Sequence, residues 1–280
     1  MGRDAHKRMR DPRFRRQQER ETYAPHVRAV NEFVDELRAE PGRGWVPYIA
    51  PWHGGTEARV LSVLSDPGKK TRRKGGSGFL CIENDDESAK RQAELFAKVG
   101  VSPRDITPWN AYPWYIDATP TSEQLLLGIP PLLRLIALMP NLRVVLLQGN
   151  TAQDSWDRLV TQEPRLVRER GLVVVPTYHP SPKAMWHPDP AERQRREEDR
   201  RAKYGEVSDA LRTAGDAVGG HDAADASAEA EAGWTRLRRV RDAAAERLRD
   251  APGTLTKAAV PAAGAAIALA AAALVRRGRR

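Results

Sequence analysis

LRVVLLQGN (Leu142–Asn150) is the stretch that decides the fold. Val144 to Leu147 are apolar without interruption and β-branched at the start, and Gly149-Asn150 stops the run. A run that short, buried on both faces, reads as a central strand of a parallel sheet, not as a helix. RVLSVLS (Arg59–Ser65), halted by Asp66-Pro67-Gly68, has the same character. GLVVVPTYHPSP (Gly171–Pro182) is a strand running into a proline-punctuated loop, and a shorter strand near Asp105 to Trp109 ends in Asn110-Ala111-Tyr112-Pro113-Trp114. Helical patterns alternate with these strands. One spans Tyr23 to Glu40 on Val27, Val30, Phe33, Val34 and Leu37, and one spans Ser88 to Val99 behind Asp85, Asp86 and Glu87. Another spans Thr121 to Leu138, where Pro130-Pro131 should break or restart it, and a fourth follows Asn150 with Ala152, Trp156 and Leu159. Strand and helix in series imply right-handed crossovers and an α/β sandwich.

The ends of the chain differ in character. Residues 1–22 carry Arg3, Lys7, Arg8, Arg10, Arg13, Arg15, Arg16 and Arg20 with little apolar between them, and read as a basic disordered arm. Residues 23–212 form the folded domain, closing with a charged helix over Ala191 to Leu211. Residues 213–232 are low-complexity linker, and 233–280 hold a charged helix and an Ala-rich tail, so flexible extensions are expected at both ends. Ala258 to Val275 is eighteen residues without a charge, borderline for a membrane anchor; its alanine content, Pro261 and Gly264 favour a solvated tail with at most weak membrane contact through 258–280. The net charge of +9 over 280 residues suits a polyanionic partner. Cys81 is the one cysteine, which excludes intrachain disulfides and four-cysteine metal or cluster sites and suits a reducing cytoplasm. The start has no apolar run, so it is not read as a secretory signal. A monomer is expected.

Three polar loops follow the strands, beginning at Asp66, Asn110 and His179. Open parallel sheets bind ligands at their carboxyl edge, so these loops should meet around one site.

LSDPG (Leu64–Gly68), GSGF (Gly76–Phe79), WNAYPW (Trp109–Trp114) and HPSP (His179–Pro182), in that order, resemble the uracil-DNA glycosylase superfamily, and the resemblance covers about Ala58 to Trp186. It implies a three-layer α/β/α sandwich with a short, mainly parallel central sheet, and DNA containing a damaged base as the partner. It implies Asp66 and His179 as catalytic residues, Asn110 as the reader of the base edge, Phe79 as the ring stacked on a flipped base, and Gly68 beside the base. Cleavage of an N-glycosidic bond builds positive charge on the sugar and negative charge on the departing base. A carboxylate answers the first, and an imidazole N–H answers the second without needing a raised pKa. An amide can pair with O4 and N3–H together.

Lys69, Lys70, Arg72, Arg73 and Lys74 beside Gly75, Gly76 and Gly78 read as phosphate contacts, with Ser181 offering a hydroxyl and N–H. Met185 or Trp186 lies where the family carries its DNA-wedging loop. Each residue also has a plain structural use: Asp66 in a turn, Asn110 before Tyr-Pro, His179 bonded to backbone, Phe79 in the core, Met185 and Trp186 on a helix. Glu83-Asn84-Asp85-Asp86 is read as a helix cap, and neither metal nor cofactor is expected. Gly68 stands where the uracil-specific branch has a tyrosine, which leaves rejection of thymine open. No lysine fits a Schiff-base role, so base release without strand cleavage is the expected reaction. The rival reading is a non-catalytic nucleic-acid-binding protein that keeps the fold.

Overall fold

The computed structural model describes residues 6–215, all within one compact unit. In chain order the elements are α1 (Pro12–Arg20), α2 (Pro25–Arg38), β1 (Tyr48–Ile49), β2 (Val60–Leu64), β3 (Phe79–Leu80), α3 (Glu87–Lys98) and β4 (Ile106–Asn110). They continue with α4 (Ser122–Ala137), β5 (Val144–Gln148), α5 (Asn150–Gln162), α6 (Leu166–Glu169), β6 (Val173–Thr177), α7 (Pro182–Met185) and α8 (Pro190–Gly215). Four strands form a sheet in the order β4-β2-β5-β6, and β1 pairs with β3 beside it; every pairing is parallel.

Period-two alternation sorts the strand residues between two cores. Leu61, Val63, Val145 and Leu147 pack with α2, α4 and α5 on one face, around Phe33, Ile129, Leu135 and Trp156. Val60, Val144, Leu146 and Val175 pack with α3 and α8 on the other, around Phe96 and Tyr204. The result is a helix–sheet–helix sandwich, as the sequence implies. Pro108 and Pro176, the two prolines within strands, lie in β4 and β6, the edge strands, where a missing N–H costs no ladder bond on the outer side.

Two expectations fail. Pro130-Pro131 does not break the helix expected over Thr121 to Leu138; both lie inside α4. Their missing N–H groups leave the Leu126 and Leu127 carbonyls without helical partners, but those residues are exposed to water, while Ile129, Leu132, Leu135 and Ile136 are clamped in the core. Within residues 6–22 the basic arm is ordered. Asp11 caps α1 by accepting from Arg13 N at 2.8 Å, and the Phe14 ring meets Trp52 edge-on at 5.5 Å. Arg8 lies over both rings, Met9 N donates to Glu83 O at 3.0 Å, and Lys7 reaches Glu87 at 2.5 Å. The charges serve specific partners here, and Met9 and Phe14 are too sparse to show as a helical stripe. At the other end α8 runs into the expected linker as far as Gly215. The rest of that linker and residues 233–280, with the proposed anchor, lie outside the described residues. Among the described residues no helix is long and apolar enough to cross a membrane.

Candidate active site

Register brings the strand ends level. Leu64 pairs with Asn110, Val63 with Leu147, and Gln148 with Thr177, so the chain leaves β2, β4, β5 and β6 along one edge. The β2 and β4 loops stay joined past the sheet, because Ala111 N donates to Leu64 O at 2.8 Å and Tyr112 N to Ser65 O at 3.0 Å. Asp66 and Asn110 therefore leave neighbouring strands side by side. Gly128 of α4 fixes the second loop, since a Cβ there would lie 1.8 Å from the Ala111 carbonyl oxygen. His179 stands over the β5–α5 turn, where a Cβ on Gly149 would come within 2.9 Å of the His179 Cβ and φ is +92°. Only glycine lets the two segments approach so closely.

The three side chains sit in different environments. Asp66 is half-buried, and desolvation raises its pKa above the usual carboxylate value; a hydrogen bond with Ser65 opposes this, and the charge of Asp117 adds to it. Burial, aided by the charge of Arg200, lowers His179 to about 4, so its imidazole is neutral at physiological pH. Ser181 N donates to His179 Nδ1 at 3.1 Å, which places the remaining ring proton on Nε2. Nε2–H is then a donor with no proton to lose. Asn110 is 2% exposed, and its Nδ2 is buried without a hydrogen-bond partner.

The other expected residues divide. Gly68 is exposed, with nothing within 4 Å of a Cβ built on it and an extended backbone, so neither space nor conformation demands glycine. Lys69, Lys70, Arg72, Arg73 and Lys74 are exposed on the loop after β2, which is folded back on itself by Ser77 N to Lys70 O (2.9 Å) and Gly78 N to Arg72 O (3.2 Å). Lys69 pairs with Asp117 at 3.4 Å and Lys70 with Asp85 at 3.6 Å. Ser181 precedes α7, Met185 is half-buried, and Trp186 is 67% exposed. Met185 and Trp186 line a cavity of about 480 Å³ with α3 and α8.

Phe79 does not join the three. Its ring is 3% exposed in a cluster with Met9, Phe14, Ala50 and Cys81, and it borders a cavity of about 850 Å³ that takes in none of Asp66, Asn110 and His179. Residues 9–14 cover the ring, which corrects its assignment as the floor of the same pocket. Asp86 caps α3 by accepting from Ala89 N at 2.8 Å.

The sequence reading missed Thr177, Gln148 and Arg200. Thr177 Oγ1 is buried at the end of β6 without a partner, and Gln148 is the single polar residue of β5. Both interrupt apolar strands, a signal that could have been read. Arg200, 1% exposed, hides in a helix rich in charge, so nothing in the pattern marks it.

Residues 51–203 match the family model described as the uracil DNA glycosylase superfamily. No curated protein matches the chain.

Proposed function

The chain belongs to the uracil-DNA glycosylase superfamily, whose model covers more than half of it, and we propose that it hydrolyses the N-glycosidic bond of uracil or a related deaminated base in DNA. The observation that carries this reading is the common level of the loops bearing Asp66, Asn110 and His179 at the carboxyl edge of one sheet. In the reaction, the Asp66 carboxylate steadies positive charge growing on the sugar and takes a proton from the attacking water, whose oxygen bonds to the anomeric carbon as the bond to the base breaks. The electron pair leaves with the base, and His179 Nε2–H donates to the carbonyl oxygen that gathers the charge. The unpartnered Asn110 Nδ2 donates to a base carbonyl while Oδ1 accepts from a ring N–H, which selects against cytosine. The target base leaves the duplex stack to reach these groups, and the exposed Trp186 fills the gap in this reading.

The test uses a uracil-containing single-stranded oligonucleotide, heated in alkali after incubation so that abasic sites break. Asp66→Asn and His179→Ala should each lower activity by at least about a hundredfold while circular dichroism stays that of the parent. Full activity in both variants, or none in the parent, rejects the roles or the reaction. The open space at Gly68 leaves room for a base bearing a methyl group, so a panel with uracil, hypoxanthine, xanthine and mismatched thymine fixes the lesion.

A further inference from the structure

One cavity among the described residues is lined by none of Asp66, Asn110 and His179. It measures about 850 Å³ and opens between α1, the loop of residues 70–79 and the turn at Asn84-Asp85, with Arg38, Trp45 and Tyr48 in its wall. Its charge is unbalanced. Arg10 and Lys70 share one carboxylate, Asp85, at 2.6 and 3.6 Å. Arg15 and Arg73 line the cavity from opposite segments and form no ion pair among the described residues.

Two further features narrow the ligand. The wall is aromatic, with Arg38 packed on Trp45 at 3.7 Å and Tyr48 at 3.5 Å, and the Tyr48 and Phe79 rings 6.2 Å apart. Asn84 is 2% exposed and lines the same cavity; its Nδ2 donates to Phe79 O at 2.9 Å, but its Oδ1 has no partner. A buried acceptor left unpaired is unfavourable, so a donor from a ligand would be held there. Arginines alone would suit any phosphate. An amide acceptor beside flat rings also asks for a planar ring that carries N–H.

We propose that this cavity binds one nucleotide of a single strand, its phosphate held by Arg15 and Arg73 and its base laid along the aromatic wall with an N–H donated to Asn84 Oδ1. Basic groups interleaved with aromatic rings are the usual platform for single strands, and the volume falls in the range of small-ligand sites. A duplex is too wide to enter. That the strand is DNA rests on the glycosylase reading; the chemistry of the cavity does not. The site lies beside the loop that leads back to Asp66, so it can anchor an unpaired stretch while a separate nucleotide is processed.

The probe is a fluorescein-labelled twelve-residue oligodeoxynucleotide of mixed sequence without lesions, read by anisotropy against the full-length protein. No base is removed from this probe, so the result stands whether or not the reaction proposed above is found. Arg15→Ala with Arg73→Ala should weaken binding by at least about tenfold and flatten the dependence of log affinity on log salt by about 0.7, the loss of one phosphate contact. Arg165→Ala with Arg168→Ala, the same charge removed from exposed positions just before and within α6, should change affinity by less than about twofold. Equal losses in the two pairs, no loss in the first, or no binding by the parent protein overturns the proposal. A strand of abasic units with the same phosphates should bind several times more weakly than the normal one; equal affinity would leave a phosphate site with no base recognition and overturn it as well. Displacement of the probe by millimolar deoxynucleoside monophosphates identifies free nucleotides as the source, and resistance to them identifies the strand.

Discussion

Two polar groups of residues sit one above the other in this molecule, and they are built on opposite terms. Beneath the strand ends, Gln148 Nε2 donates to Ser62 Oγ at 2.7 Å and to Gln92 Oε1 at 2.8 Å, Ser62 Oγ donates to Gln92 Oε1 at 3.3 Å, and Tyr204 OH donates to Gln148 Oε1 at 2.8 Å. Sheet, α3 and α8 are tied together by a network whose members satisfy one another. At the strand ends, Asn110 Nδ2 and Thr177 Oγ1 are buried and paired with nothing. An unmade buried hydrogen bond costs roughly 1–3 kcal/mol, against the roughly 1 kcal/mol that a made one contributes. These two groups therefore differ in kind: the four side chains beneath the edge satisfy one another, while Asn110 Nδ2 and Thr177 Oγ1 at the edge do not.

The largest effect that separates the two levels should come from Asn110→Ala. Removing an amide that has no partner should change unfolding free energy by less than about 1 kcal/mol, while base release on uracil-containing DNA falls by about a hundredfold. Chemical denaturation and single-turnover kinetics measure the two. A large stability loss with little loss of rate would mean that Asn110 is a structural residue and the contrast is false. Next in size is Gln148→Leu, which leaves the Tyr204 hydroxyl and Ser62 short of partners and should cost about 2–3 kcal/mol of stability. Tyr204→Phe removes one donor from the same network and should cost about 1 kcal/mol. In both variants the folded fraction should keep far more of its rate than Asn110→Ala does. Were the network variants the slower enzymes, the lower level would belong to the site.

The sequence made the upper level more legible than the lower. Val144 to Leu147, Val60 to Leu64 and Val173 to Thr177 are runs with nowhere to go but a buried sheet, and parallel strands put their carboxyl ends on one side, so loops at Asp66, Asn110 and His179 had to share an edge. What lies below the edge depends on which helix crosses which strand. Ser62, Gln92, Gln148 and Tyr204 are 142 positions apart from first to last in the chain, and no local pattern pairs them. Phe79 was misplaced for the same reason: its covering partners, Met9 and Phe14, come from a segment whose charge reads as unfolded. Pro130 and Pro131 failed as helix breakers because core contacts on the opposite side of α4 outweigh a local penalty.

The smallest expected change is one of protonation, and it sets the two buried histidines side by side. Burial lowers both His53 and His179 to about 4. His53 uses both ring nitrogens, Nδ1 donating to Pro103 O at 3.3 Å and Nε2 accepting from Ile82 N at 3.2 Å. His179 uses Nδ1 alone, and Nε2–H is the donor in the proposed reaction. Since the folded values lie below the 6.5 of an unfolded chain, the unfolded state takes up protons that the folded state refuses as pH falls from 6.5 towards 4. Stability is therefore full above 6.5, declines through that window and levels off below it, with fully buried His53 alone accounting for roughly 3 kcal/mol. Activity follows a different group. In the proposed reaction Asp66 acts in its ionised form, and its raised pKa means that kcat/KM should fall on the acid side with an inflection above the ordinary aspartate value. Between pH 8 and 6 neither imidazole should titrate by nuclear magnetic resonance, and the rate should stay nearly flat. A His179 signal that moves with a midpoint near 6.5 would put a second proton on the ring at working pH, and the neutral Nε2–H donor that the site relies on would be lost as its explanation.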